Sequence, residues 1–110
     1  MAAPRTPQAE LDARLTEAAA HAAEATPGVA LLRPDLTGVL RGAADRGARV
    51  RRTRTVDGWR MHADLRLAVQ HGHRAVDVTR AARAAVASAL AAAHPGPAEI
   101  TVTVTVTALV

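Results

Sequence analysis

The groups with the widest chemical range here are five histidines, the aspartates Asp64 and Asp77, and a single serine, Ser88. His71-Gly72-His73 sets two histidines two positions apart, and His62 and Asp64 lie on the segment before them, a donor set that suits zinc or nickel. His62 and His71 differ in parity along a strand, so they point to opposite faces, and no fourth ligand is fixed. A metal site is therefore not expected. Asp64 has a cationic match in Arg51, and Asp77 falls in the first turn of a predicted helix, where negative charge suits the helix dipole. Ser88 lies in the middle of that helix. The chain has no glycine-rich phosphate loop, no Gly-x-Ser-x-Gly and no cysteine. These residues point away from an enzyme and from a bound cofactor.

Binding chemistry is better represented. All 14 cations are arginine and the net charge is +4, a balance that suits an acidic partner, phosphates or an anionic surface. Arg49, Arg51, Arg52 and Arg54 crowd one short segment. They make either a basic binding surface or an ordinary solvated sheet face. RNA is the weaker partner for them, because Trp59 is the only aromatic platform and no Gly-x-x-Gly loop is present. A small RNA-binding module using Arg49 to Arg54 is the alternative function.

These residues must be positioned by predictable elements. Thr6-Pro7 reads as an N-cap and first helical position, after a loose tail over residues 1–6. The helix that follows has Leu11, Leu15, Ala18, Ala22 and Ala25 as its apolar stripe and stops at Thr26-Pro27-Gly28. Val29 to Leu32 suits a brief strand, and Pro34 to Gly47 a short helical turn broken by glycines. Arg49 to Thr55 and Trp59 to Val69 alternate as strands around Asp57-Gly58, the strongest hairpin signal in the chain. A two-residue Asp57-Gly58 loop sets Arg51 opposite Asp64 and Arg49 opposite Arg66. Arg52 and Arg54 then share a face with Trp59, Met61 and Leu65. Either their stems cover apolar surface with the heads at the rim, or a bulge re-aims them, and Arg54 comes within cation–π reach of Trp59. Val76 to Ala93 is a second helix with Val78, Ala82, Ala85, Val86, Ala89 and Leu90 on one face, ended by His94-Pro95-Gly96-Pro97. Ile100 to Ala108 alternates apolar residues with Thr101, Thr103, Thr105 and Thr107.

The fold class expected is α+β and two-layered: two main helices on one face of a three- or four-stranded mixed or antiparallel sheet, in the order α-β-β-α-β. Residues 7–110 form one domain. With 49% hydrophobic residues the chain can fold, yet most of them are Ala and Val, and such a core leaves little surplus stability.

The run Asp64-Leu65-Arg66-Leu67-Ala68-Val69-Gln70-His71-Gly72, followed by a helix and a terminal alternating strand, resembles the alkaline-shock, or general-stress, envelope stress response protein family. Thr26-Pro27-Gly28-Val29 resembles the same family's Pro-Gly-Val after its first helix. The likeness covers most of residues 15–110. It implies a non-catalytic cytoplasmic protein of envelope homeostasis that works by self-association or by docking on a membrane-anchored protein. His71 stands where the family has an aromatic residue, the second helix lacks its acidic residues, and this chain is basic.

The residues expected to meet a partner are Arg49, Arg51, Arg66, Thr101, Thr103 and Thr105. The partner is a protein, membrane-anchored or a second copy, rather than nucleic acid. Direct membrane insertion is not expected, since no apolar run approaches ~20 residues and Met1-Ala2-Ala3-Pro4-Arg5 lacks a signal-peptide core. The expected location is the cytoplasm, with membrane association only through a partner. Residues 100–110 carry no charge, proline or glycine. Such a strand either lies inside the sheet or pairs with another copy.

Overall fold

The structure, a computed structural model, describes residues 6–32 and 47–110. The expected tail over residues 1–6, apart from Thr6, and the expected turn over Pro34 to Gly47, apart from Gly47, lie outside the described residues. Helix α1 (Pro7–Glu24) starts as the sequence predicts: the Thr6 hydroxyl accepts the Ala9 N–H at 3.1 Å, and Pro7 takes the position that needs no donor. Strands β1 (Val29–Leu32), β2 (Ala48–Thr55) and β3 (Gly58–Val69) follow, then helix α2 (Ala75–Ala93) and strand β4 (Ala98–Leu109).

Strand β3 is the axis of a mixed four-stranded sheet. On one side its first half pairs antiparallel with β2 and its last residues pair antiparallel with β1; on the other side β4 runs parallel to it along its length. The parallel pairing requires a crossover, and α2 supplies it. Both helices pack on one face, which makes the two-layer α+β arrangement.

The inward residues of β3, Met61, Ala63, Leu65, Leu67 and Val69, are all buried, as expected for a strand with neighbours on both sides. They meet Leu15, Ala19, Ala20 and Ala23 of α1 and Val78, Ala82, Val86 and Leu90 of α2. The stripe of α1 is therefore rotated from the one expected. Leu15 is buried, but Ala19, Ala20 and Ala23 carry the contact while Ala25 is exposed. In a helix with alanine on nearly every side, hydropathy does not select a face, and the neighbours do. Burying a Leu or Val contributes about 1.5–3 kcal/mol and an alanine much less, so β3 and α2 supply most of the core energy.

Gly28 fixes the link between α1 and β1. Its φ is +91°, and a Cβ there would lie 2.5 Å from the Val78 side chain. Its carbonyl accepts the Gln70 N–H at 2.8 Å, so the end of α1, the start of α2 and the end of β3 meet at a residue without a side chain.

The hairpin differs from its expected form. Thr55 pairs with Gly58, leaving Val56 and Asp57 as the loop. Within the hairpin only Gly58 has positive φ, at +137°, and among the described residues no non-glycine residue does. A loop on Asp57-Gly58 would require positive φ at Asp57; the observed turn confines that conformation to the glycine. The register moves accordingly: Arg51 faces His62 and Arg49 faces Asp64, not Asp64 and Arg66. Each residue keeps its face, because the shift is by an even number.

Candidate docking face

The sheet surface away from the helices is uncovered among the described residues. It carries Arg49 and Arg51 of β2, Arg60, His62, Asp64 and Arg66 of β3, and Glu99, Thr101, Thr103 and Thr105 of β4. All six residues expected to meet a partner are on this one face, across three strands. Four arginines against Asp64 and Glu99 leave it basic.

His62 organises the centre of the face. Its Nδ1 shares a hydrogen bond with Thr101 Oγ1 at 2.7 Å, and its Nε2 lies 3.1 Å from Asp64 Oδ1 and 3.3 Å from Thr103 Oγ1. Arg51 Nη2 donates to the other Asp64 oxygen at 3.4 Å, a diagonal contact that survives the changed register. Arg60 lies 3.5 Å from Glu99. The exposure of these pairs keeps each weak, of order 0–1 kcal/mol. Their effect is to order side chains, holding a polar network flat over the sheet.

Thr101, His62 and Asp64 have the residue types of a nucleophile–base–acid chain. They sit on the open strand surface, and Thr101 Oγ1 also donates to the Met61 carbonyl at 3.4 Å. His71 and His73 are exposed in the turn after β3, and among the described residues no group of three histidines or acids is placed to hold a metal.

The helix side resolves the question of Arg52 and Arg54 without a bulge. Arg52 turns under α1: its Nε is 2.7 Å from Asp12 Oδ1, its Nη2 donates to Gln8 Oε1 at 2.6 Å, and its side chain is only 6% exposed. Its guanidinium lies 4.6 Å from the Trp59 ring centre, and that of Arg54 5.5 Å. The ring centres of Trp59 and His94 lie 6.0 Å apart in an edge-on arrangement. His94 is buried at the end of α2, with Nδ1 on the Gly96 carbonyl at 3.1 Å and Nε2 without a partner. Arg52 is thus a fastening between the hairpin and α1, while Arg54 stays exposed at the rim within the expected cation–π reach of Trp59. Strand parity signalled the face of Arg52 and Arg54; nothing in the sequence pointed to Asp12, Gln8 or His94.

The edge of β4 holds one further contact. Arg83 of α2 donates from Nε to the Val102 carbonyl at 3.3 Å. Among the described residues, no helix is long and apolar enough to cross a membrane. Compared with known proteins, the chain matches no family model, no curated protein and no solved structure.

Proposed function

We propose that this chain is a non-catalytic association protein of cell-envelope stress homeostasis, resident in the cytoplasm and brought to the membrane by an anchored protein or assembled with copies of itself. The observation that carries the reading is the uncovered sheet face, where Arg49, Arg51, Arg66, Thr101, Thr103 and Thr105 lie together around an ordered His62. A broad, flat, polar surface with a basic excess suits docking on an acidic protein surface, where charge complementarity governs approach and register. The likeness of Asp64 to Gly72 and of Thr26 to Val29 to the envelope stress family supports the same reading and supplies its cellular setting.

Affinity capture from native cells, with membrane and soluble fractions analysed separately, tests it. The protein is expected in the membrane fraction only while a membrane-anchored partner is present. Replacing Arg49, Arg51 and Arg66 together with Glu is expected to release that partner and leave the circular dichroism unchanged. Recovery as a free protein with nothing co-purifying sinks the reading.

The same arginines favour RNA as the second reading. It differs in salt dependence: each phosphate contact to a single strand adds a slope of about −0.7 in log K against log salt, whereas a protein interface with an apolar centre changes far less.

A further inference from the structure

Strand β4 has one long edge against β3, and no other described strand pairs with it. Hydrogen-bond parity identifies the groups on its other edge. The Arg66 N–H reaches the Gly47 carbonyl at 2.8 Å, so the even residues of β3 bond toward β2 and the odd ones toward β4. With Met61 opposite Ile100 and Leu67 opposite Val106, parallel pairing turns the odd residues of β4 inward. The N–H and C=O groups of Ile100, Val102, Val104 and Val106 therefore face away from the sheet. The Arg83 contact to the Val102 carbonyl agrees with this.

The side chains along this edge are self-complementary. Residues 101–107 read Thr-Val-Thr-Val-Thr-Val-Thr, the same in both directions, without a charge to repel an identical strand. On the helix side, Ile100, Val102, Val104 and Val106 are only half-buried, a strip that α2 leaves partly uncovered.

We propose that β4 pairs with β4 of a second copy, antiparallel, about a two-fold axis through Val104. Val104 then faces its own equivalent, Val102 faces Val106, Thr103 faces Thr105 and Thr101 faces Thr107. Outward-directed residues meet outward-directed residues, so donors find acceptors. Every valine stays on the helix side and every threonine on the open face. Two sheets become one, and the two docking faces become continuous. Arg83 occupies the Val102 carbonyl that the neighbour's Val106 N–H requires, so it guards the edge and is displaced on pairing. This pairing rests on the association reading above and names its occupant.

Thr103 and Thr105 are exposed and become direct cross-strand neighbours, so charges placed there report the register. The unmodified protein is expected to have the mass of a dimer by light scattering at micromolar concentration. Thr103→Lys with Thr105→Lys sets like charges opposite one another and is expected to give a folded monomer, with folding checked by circular dichroism. Thr103→Lys with Thr105→Glu sets opposite charges together and is expected to keep the dimer. Arg83→Ala frees the carbonyl and is expected to tighten the dimer about fivefold or more, the effect of one net hydrogen bond. A monomeric unmodified protein throughout the micromolar range overturns the pairing, and if it still captures a membrane-anchored partner the docking function stands without it. The same response to both double variants, whether dimer or monomer, overturns the two-fold register.

Discussion

Strand β2 carries Arg49, Arg51, Arg52 and Arg54 in eight residues, whereas β4 carries Glu99 as its single charge in twelve. Both flank the same central strand, and they are secured differently. On β2 the cations alternate in role with the pleat: Arg49 and Arg51 point to solvent and make the edge unattractive to another strand, while Arg52 and Arg54 turn inward to Trp59. On β4 the single charge, Glu99, pairs with Arg60 of β3 on the open face, and the guard of the far edge, Arg83, comes from α2. A charged strand thus closes its own edge and can spare side chains to tie down a weak core. An uncharged strand must borrow its protection, and a borrowed hydrogen bond is easily exchanged for a strand.

The comparison breaks most decisively at Arg52. Arg52→Ala removes its bonds to Asp12 and Gln8 together with its stacking on Trp59. Hydrogen bonds to charged groups contribute about 1.5–3 kcal/mol, so a loss of about 2–3 kcal/mol is expected in denaturant unfolding. Trp59 emission is expected to move to the red as the indole gains water. If stability stays within 0.5 kcal/mol, a typical surface effect, the inward arginine is no fastening.

Gly58→Val comes next. At φ +137° a β-branched residue is strained, and about 1 kcal/mol or more should be lost, read as a lower thermal midpoint. An unchanged midpoint would mean that the hairpin turn does not depend on its glycine.

The smallest effect belongs to the open face. Asp64→Asn removes the charge facing Arg51 and His62, but Arg51 is well exposed and His62 only half-buried. A change within about 0.5 kcal/mol is expected. A loss above 1 kcal/mol would give that network a structural role comparable with the Arg52 fastening.

Much of this architecture is local and therefore legible in the chain. Thr6-Pro7, Pro27-Gly28 and Pro95-Gly96-Pro97 punctuate the helices. The alternation in Trp59 to Val69 and Ile100 to Ala108 separates a buried face from an open one, because side chains alternate faces with a period of two in any strand. That parity alone placed Arg49, Arg51, Arg66, Thr101, Thr103 and Thr105 together on one surface.

Partner choice is not local. Tertiary structure decided that β4 lies parallel beside β3 while β1 and β2 share its other side, and that the hairpin closes on Thr55 and Gly58 rather than on Asp57-Gly58. It decided which alanines of α1 are core, and that Arg52 meets Asp12 across 40 residues of chain. Periodicity assigns a side chain to a face at no cost in chain entropy. The neighbour it meets there depends on closing a loop, and many closures fit the same pattern until packing selects one.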